Sequence, residues 1–376
     1  MSNRIGIAEY HTTMKPITHI VGARPNFMKA APVVAALAAE DVGQRLVHTG
    51  QHYDRVMSGV FFEQLGIPEP DANLGVGSGS HAAQTAALMV ALEADFVANP
   101  PRAVVVYGDV NSTLAASLVA AKMGLPIVHV EAGLRSFDRA MPEEVNRVVV
   151  DSLADLLLVT SPEGVGHLVR EGVAPERIAF VGNPMIDTLL ENLDRMDPQS
   201  VRALHGWPGR YAVVTLHRPS NVDDPKLGRE IVEQLLRLST SIPLVVPLHP
   251  RGAERLGSFG LVDSATAERQ IKILPPLGYI EFVSLVRGAA LVVTDSGGVQ
   301  EETTILRVPC LTMRENTERP ITITHGTNRL ISPAQLAAAA AEVLDGTHAV
   351  PTEGPPLWDG EAGVRIAAAI IGRYRS

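Results

Sequence analysis

Short runs of apolar residues alternate along the chain with longer segments in which apolar residues recur at helical spacing. The runs in the first half lie at 17–21, 46–48, 103–107, 127–130, 156–160 and 178–181. Those in the second half lie at 211–216, 244–247, 271–274, 291–294 and 310–312. Continuous apolar runs of this length are typical of buried strands, and strands that alternate with helices form parallel sheets. The pattern therefore predicts an α/β protein with two sets of parallel strands.

The chain is long enough for two hydrophobic cores. Its 376 residues exceed the usual size of a single core, so two domains are expected. A more polar stretch with proline and glycine breaks follows residue 184, which is typical of a domain boundary. We predict a first domain over 15–184, a second over 185–360 and a terminal helix over about 361–376.

Charge and composition limit the partners that the protein can bind and the compartment in which it is expected. The net charge of −9 argues against a general nucleic-acid or membrane surface, although single basic groups can still bind a small anion. The single cysteine, Cys310, excludes an internal disulfide framework and a multi-cysteine metal site, and it fits a reducing compartment. No segment has about 18 uninterrupted apolar residues or the core of a signal peptide, so we expect a cytoplasmic protein.

Three carboxylates stand where the first predicted sheet opens. Asp109 follows Gly108 in the turn after the strand at 103–107, and Glu131 comes directly after the strand at 127–130. Glu143 follows Pro142, a residue well suited to the first turn of a helix. Because ligands of open α/β sheets bind outside the carboxyl ends of the strands, these acids are hard to explain as packing. Their proximity to one another should raise at least one of their pKa values.

Basic and imidazole side chains occupy equivalent places after other strands. Arg24 and Lys29 follow the first strand, where a solvated helix start is the simpler explanation if the loop is considered alone. His217 follows the first strand of the second half, and His249 follows the next. Two histidines at equivalent strand ends favour a binding site over two unrelated structural roles.

The segment TDSGGVQEE at 294–302 is the most specific stretch of the second half. A strand ends there, small residues expose backbone N–H groups, and a helix begins, which is the arrangement that binds phosphate at a helix N-terminus. Ser296 adds a hydroxyl to Gly297 and Gly298, and Glu302 lies about one turn inside the helix, where it could hold ribose hydroxyls. The nucleotide triphosphate loop and the dinucleotide fingerprint are both absent from the sequence.

Together these motifs resemble the non-hydrolysing UDP-N-acetylglucosamine 2-epimerases over the chain from about residue 17 to its end. The motifs are GARP (22–25) with Lys29, TGQH (49–52), YGD (107–109), HVEAGLR (129–135), PEEVNR (142–147), GNP (182–184), HR (217–218), DSGGVQEE (295–302) and TERP (317–320). The resemblance implies the GT-B fold, in which two Rossmann-like domains enclose a cleft and the last helix crosses back onto the first domain. It also implies a homodimer.

The resemblance further implies the reaction. Members of the family invert carbon 2 of UDP-N-acetylglucosamine to give UDP-N-acetylmannosamine, by elimination of UDP to a 2-acetamidoglucal and its re-addition. The proton on carbon 2 is barely acidic, so cleavage of the glycosidic C–O bond must lead, and the departing UDP needs anion stabilisation. Proton transfer on both faces of the sugar needs more than one acid–base group. No metal or redox cofactor is required.

By similarity, each candidate residue receives a role. Arg24, Lys29 and His217 are expected at the diphosphate, with hydrogen bonds from Ser296, Gly297 and Gly298. Asp109 and Glu143 are the expected proton-transferring groups, and Glu131 an electrostatic or positioning acid. The remaining substrate-binding candidates are His249, Glu302 and Arg319.

Some alternatives stay open at this stage. A hydrolysing 2-epimerase would release UDP and free N-acetylmannosamine, although the Arg-Pro-Asn turn at 24–26 favours the non-hydrolysing class. A GT-B glycosyltransferase would share the UDP site but has little use for three clustered acids. A non-catalytic UDP-sugar sensor would not need those acids at all. Ile321, where many members of the family carry Glu, leaves the exact UDP-hexosamine open, and the turn at 51–54 leaves activation by a second UDP-sugar open.

Overall fold

The computed structural model describes residues 15–50, 65–206, 209–248, 250–261 and 270–374, without the side chains of residues 24, 219, 220, 250 and 251. The first sheet contains β1 (Ile17–Val21), β2 (Gln44–His48), β3 (Ala72–Asn73), β4 (Ala103–Tyr107), β5 (Ile127–Ala132), β6 (Leu156–Val159) and β7 (Ile178–Phe180). The second contains β8 (Ala212–Thr215), β9 (Leu244–Pro247), β10 (Ile271–Leu274), β11 (Leu291–Thr294), β12 (Cys310–Met313) and β13 (Asn328–Ile331).

Helices connect almost all of these strands. Those of the first half are α1 (Arg24–Ala39), α2 (His81–Ala98), α3 (Asn111–Lys122), α4 (Pro142–Leu153), α5 (Pro162–Arg170), α6 (Pro184–Glu191) and α7 (Pro198–His205). The later ones are α8 (Pro219–Val222), α9 (Pro225–Leu238), α10 (Pro250–Ser258), α11 (Tyr279–Arg287), α12 (Gly297–Leu306), α13 (Ile321–Thr324), α14 (Leu336–Leu344) and α15 (Ala362–Tyr374).

Both sheets have the doubly wound strand order. The first runs β3-β2-β1-β4-β5-β6-β7 and the second β10-β9-β8-β11-β12-β13, and the paired strands are parallel. The predicted α/β class with two parallel sheets is therefore confirmed. In such a sheet the chain changes direction between the first and fourth strands, and a crevice opens at their carboxyl ends. This crevice lies between β1 and β4 in one half and between β8 and β11 in the other.

Apart from shifts of one or two residues at other strand ends, three differences from the sequence expectation matter. The strands β3 and β13 were not anticipated, because β3 has only two residues and β13, with the sequence NRLI, mixes polar and apolar positions. The strand predicted to end at residue 130 continues to Ala132, so that Glu131 lies inside β5 rather than after it.

Buried side chains join the two halves. One cluster on the first sheet contains Phe27 of α1 together with Ile366 and Ile370 of α15, so the last helix packs within the first core. The same cluster includes Tyr279 and Ile321 from the second half. The domain boundaries at 184/185 and 360/361 stay predictions. No helix in the described part of the chain is long and apolar enough to cross a membrane.

The contact between α15 and α1 requires a glycine. A Cβ atom on Gly363 would lie 2.7 Å from the carbonyl oxygen of Pro32, whereas nothing lies within 4 Å of the corresponding position at Gly372 in the same helix. We predict that Gly363→Ala destabilises the protein by about 1–3 kcal/mol, because the two helices must separate. The Gly372→Ala control should be neutral or stabilising by up to about 1 kcal/mol. Melting temperatures compare the two, and equal shifts would contradict the close approach.

Candidate active site

Asn26 fixes the turn between β1 and α1 against the end of β4. Its Oδ1 accepts hydrogen bonds from the backbone N–H groups of Gly22 (3.1 Å) and Ala23 (3.0 Å), and its Nδ2 donates to the Tyr107 carbonyl (2.9 Å). Lys29 lies almost one turn further along the helix, and its buried ammonium forms an ion pair with Glu131. The side chain of Arg24 lies outside the described residues. The first switch point therefore brings residues that follow β1 together with residues at the ends of β4 and β5.

Glu131 occupies a bulge in β5. Val130 pairs with Leu158 and Ala132 with Val159, so Glu131 is the extra residue of the strand, and its φ of +74° is left-handed. This conformation costs a residue with a side chain about 1–3 kcal/mol and is common at functional sites. The bulge breaks the alternation of the strand. It leaves a carboxylate inside the cleft where a regular strand would place a packing side chain.

The Glu131 carboxylate contacts a cation from each half of the molecule. Lys29 pairs with Oε2, and the Arg319 Nη2 lies 3.0 Å from Oε1. The Glu131 side chain is only 2% exposed. A carboxylate buried to this extent needs charged partners, and here the two sheets supply one each.

Asp109 is held by a side chain of α4. The Arg147 guanidinium contacts its Oδ2 at 2.7 and 2.9 Å, and Asn146 donates to its backbone carbonyl at 2.8 Å. Burial raises the pKa of Asp109, but the positive charges of Arg147, Lys29 and Arg319 outweigh it and keep the pKa below its ordinary value. Asp109 is therefore not an acid whose pKa is raised by its neighbours. The cations of the site, rather than the neighbouring acids, dominate its electrostatics.

Glu143 and Glu144 share the first turn of α4 but differ in their contacts. Glu144 is buried and accepts hydrogen bonds from the backbone N–H groups of Ser136 and Phe137, both at 2.9 Å, which secures the loop before the helix. Glu143 is half-buried and is close enough to Arg218 of the second half to influence the pKa of that guanidinium. Within the described part of the chain, Glu143 forms no ion pair within 4 Å.

Arg319 connects the acids of both halves. Besides Glu131, its guanidinium contacts Glu301 (Nε to Oε1, 2.7 Å) and Glu318. Burial lowers the pKa of Arg319, but these three carboxylates raise it well above its ordinary value. A Cβ atom on Gly297 would lie 2.4 Å from the Arg319 Nη1, so the guanidinium lies against the start of α12.

The start of α12 has the geometry of an anion site. Ser296 is the N-cap residue, and its hydroxyl makes no capping hydrogen bond. The first N–H groups of a helix have no partners inside the helix, and its dipole favours a negative charge there. A Cβ atom on Gly298 would lie 2.8 Å from the Met185 Cε. Both glycines of the predicted phosphate segment thus lie directly against the ends of neighbouring side chains.

Asp295 orients His217 at the second switch point. Its Oδ1 lies 2.8 Å from the His217 Nδ1, while the backbone N–H groups of His217 and Arg218 and the Asn221 amide donate to the same carboxylate. Burial raises the pKa of Asp295, but these contacts, with His217 the strongest, hold it below its ordinary value. The His217 side chain is 64% exposed, so Nε2 is available to a ligand.

Glu302 lies inside α12 in a buried environment. The residue is only 3% exposed, and its carboxyl group forms a hydrogen bond with the Tyr279 hydroxyl. Burial, reinforced by the charge of Glu301, raises the pKa of Glu302 to about 8. The carboxyl group is thus largely protonated at neutral pH and can donate as well as accept a hydrogen bond. Whether it holds ribose hydroxyls stays a prediction.

A cavity of about 650 Å³ opens beside the charged cluster, within the usual range for small-molecule sites. Asp138 and Met141 line it from the first half, and Arg218, Arg314 and Gln335 from the second. The Arg218 Nη1 lies 3.9 Å from the Met141 sulfur across the opening. Both halves therefore form its walls.

The structure brings some predicted residues together and leaves others undescribed. Lys29, Asp109, Glu131 and Arg319 share one charged cluster, while His217 and Ser296 follow the neighbouring strands β8 and β11. His249 and the turn at 51–54 lie outside the described residues.

Several charged residues that hold the site in place could not be assigned a role from the sequence. They are Arg147, Asp295, Glu301, Arg314 and Glu318. One sequence signal could have indicated Arg147. It follows the candidate Glu143 by four residues, and residues four apart lie on the same face of a helix, so Arg147 would be expected to face the site as well.

The sequence is similar to those of known proteins over almost its full length. The family model described as UDP-N-acetylglucosamine 2-epimerase matches residues 35–371. The UDP-N-acetylglucosamine 2-epimerase of Methanocaldococcus jannaschii is 39% identical over 94% of this chain and 99% of its own. The UDP-2,3-diacetamido-2,3-dideoxy-D-glucuronate 2-epimerase of Pseudomonas aeruginosa is 38% identical over 94% of this chain and 98% of its own.

Solved structures agree in fold. The M. jannaschii UDP-GlcNAc 2-epimerase in complex with UDP-GlcNAc and UDP superposes with a TM-score of 0.88 at 39% identity, covering 96% of this chain and 100% of that one. The putative enzyme from Listeria monocytogenes gives 0.85 at 32% identity, covering 96% and 97%. The predicted GT-B fold is confirmed by these likenesses.

The raised pKa of Glu302 makes stability depend on pH. Because the folded protein holds this proton up to about pH 8 and the unfolded chain releases it near pH 4.5, stability should fall as the pH rises through that window. Glu302→Gln mimics the protonated form and should reduce the loss. Melting temperatures of both proteins from pH 5 to 8 measure this, with the exposed Glu353→Gln as control. Parallel curves for wild type and Glu302→Gln would contradict the shift.

Proposed function

The chain belongs to the UDP-N-acetylglucosamine 2-epimerase family, and on this premise we propose the substrate, the mechanism and the residue roles. The protein is an epimerase and therefore an isomerase. We propose that it inverts carbon 2 of UDP-N-acetylglucosamine, giving UDP-N-acetylmannosamine, by eliminating UDP and adding it back through a 2-acetamidoglucal. The observation that carries the proposal is the Glu131 carboxylate, held between Lys29 and Arg319 in one cluster with Asp109.

The leaving UDP binds at the two switch points. Ser296, Gly297 and Gly298 offer the start of α12 to the phosphates, and His217 approaches from the neighbouring strand. Support comes from the N-cap position of Ser296 and from Asp295, which fixes the His217 ring through Nδ1 at 2.8 Å. Donors already fixed in place stabilise the negative charge that develops as the C–O bond breaks, because they need not reorganise.

Three basic residues and His249 complete the proposed diphosphate site. Lys29, whose ammonium group pairs with Glu131, also binds the phosphates together with Arg24 and adds positive charge there. Arg319 lies against Gly297 and thus between the phosphates and the acids. Glu302 supplies a hydrogen-bonding group for the ribose.

The acids act on the sugar. Asp109 and Glu143 transfer the protons on opposite faces of carbon 2, and Glu131 stabilises the positive charge of the sugar as UDP leaves. The low pKa of Asp109 supports its role as a base, since a base must be ionised at neutral pH. The two cations on Glu131 support an electrostatic role over proton transfer, because they stabilise its charged form.

A second substrate is favoured by the cavity beside the cluster. A UDP-sugar with additional groups, such as the diacetamido glucuronate named for the P. aeruginosa relative, needs more room and a partner for its carboxylate. The cavity of about 650 Å³ with Arg218 and Arg314 on its wall offers both.

Assembly and location are likewise proposals. We propose a homodimer in the cytoplasm that binds neither nucleic acid nor membrane. Two apolar side chains of α2 support a dimer, because Val90 is 71% and Val97 67% exposed. The buried free thiol of Cys310 fits a reducing compartment.

The C–H cleavage can be followed directly. Incubation with UDP-N-acetylglucosamine in deuterated water should place deuterium at carbon 2 of both epimers, because the proton removed exchanges with solvent. Proton NMR reads the loss of the carbon 2 signal, and a parallel reaction with the diacetamido glucuronate compares substrates. Free N-acetylmannosamine as the product would instead indicate the hydrolysing class. An unlabelled, unepimerised sugar in both reactions would contradict the proposal.

Loss of either proton-transferring acid should abolish exchange without abolishing binding. Asp109→Asn and Glu143→Gln are each expected to lower kcat by at least about 100-fold, the usual contribution of a positioned acid or base. UDP affinity, measured by calorimetry, should stay within about threefold, because neither side chain is assigned to the diphosphate. The exposed Glu191→Gln removes a carboxylate far from the cleft and serves as the control. Near-normal exchange in either variant would exclude that residue from proton transfer.

A further inference from the structure

The left-handed backbone of Glu131 is fixed by one buried carboxylate, that of Asp151 in α4. Its Oδ2 accepts hydrogen bonds from the Gly133 N–H (3.1 Å) and from the Arg135 Nη1 (2.7 Å). Its Oδ1 lies 2.6 Å from the Nδ1 of His129. Residues on both sides of the bulge are therefore attached to the same side chain, which is 1% exposed.

His129 carries this attachment on to the neighbouring strand. Its Nε2 lies 2.8 Å from the carbonyl oxygen of Gly108. A carbonyl oxygen and a carboxylate are both hydrogen-bond acceptors, and the ring bridges them through its two nitrogens. Burial raises the pKa of Asp151, but the charges of His129 and Arg135 outweigh it and hold the pKa below its ordinary value. The Asp151 carboxylate thus stays charged inside the protein, where His129 and Arg135 both contact it.

Gly108 supports two of the acids. It directly precedes Asp109, and a Cβ atom on it would lie 3.0 Å from both the Glu131 Oε2 and the Lys29 Nζ. Its φ of +64° is left-handed, so the turn depends on glycine. A displacement of the Gly108 peptide would move Asp109 and press on the Lys29–Glu131 pair at once.

We propose that Asp151 and His129 are positioning residues of the epimerase reaction, which hold the Glu131 bulge and the Gly108 peptide in register without touching the substrate. The proposal rests on the proposed function. The helix α4 then serves the site three times on one face: Glu143 enters the cleft, Arg147 holds Asp109, and Asp151 holds the strand that carries Glu131.

Two substitutions at Asp151 separate its charge from its hydrogen bonds. In Asp151→Asn, the amide can donate to the His129 Nδ1 while its oxygen still accepts from Gly133 and Arg135, so we expect kcat within about tenfold of wild type. Asp151→Ala removes all three contacts. We expect kcat to fall by about 100-fold, the effect of a displacement of about 1 Å in catalytic groups, with KM and UDP affinity within about threefold.

Glu171→Gln is the matched control. Glu171 contacts the outer side of the same Arg135, at 2.8 Å from Nε and 2.6 Å from Nη2, away from the bulge. This variant perturbs the same network and should leave kcat unchanged. Epimerisation of UDP-N-acetylglucosamine and melting temperature are measured on the full chain for all variants.

The results separate a failure of the proposed epimerase function from a failure of the positioning role. Inactive wild-type protein overturns the proposed function. Active wild type together with a folded Asp151→Ala variant of near-normal kcat, or an equal loss in Glu171→Gln, overturns the positioning role.

If Asp151→Ala does not fold, substitutions at His129 test the positioning role instead. His129→Gln can place its amide at the Nε2 position and keep the Gly108 contact, whereas His129→Asn can reach only Asp151. The proposal expects a kcat at least about tenfold higher for His129→Gln than for His129→Asn, at similar UDP affinity. Equal or reversed values overturn it.

Discussion

The structure depends on one buried carboxylate that both halves of the molecule neutralise. Glu131 lies inside the protein with Lys29 on one side and Arg319 on the other. Loss of one partner of a buried ion pair costs about 3–5 kcal/mol, because the remaining charge stays in a medium of low polarity. The two sheets are therefore coupled electrostatically as well as through their shared apolar cluster, and the coupling passes through a residue of the proposed site.

This interaction also determines the state of the neighbouring acids. Arg319 contacts Glu301 and Glu318 in addition to Glu131, and Arg147 contacts both Asp109 and Glu144. Cations and anions thus alternate across the boundary between the halves, and the pKa values of Asp109, Glu144 and Glu318 lie below their ordinary values. Such a fixed arrangement of charges suits a reaction in which positive charge develops on a sugar while negative charge develops on a diphosphate.

Much of the fold could be predicted from the sequence, because parallel strands buried on both faces appear as apolar runs; the strand at Ala103–Tyr107 was predicted with its observed bounds. The bulge at Glu131 could not, since a left-handed residue in a strand leaves no pattern in side-chain polarity. Asp109, Glu131 and Glu143 were recognised as candidates because they follow strands or begin a helix. The low pKa of Asp109 was missed for a different reason: Arg147 and Arg319 are remote in sequence, and only the tertiary structure brings their charges to the acid.

The return of α15 to the first core has a mechanical consequence. The chain passes from the first sheet to the second after β7, and it passes back after β13 to reach α1. Because two separate stretches of backbone join the two halves of the molecule, the halves cannot slide freely past each other. The main relative motion that remains is a rotation about the line through the two connections. Any rotation of this kind would separate the same pairs of side chains, such as Glu131 and Arg319, and bring the same pairs together again.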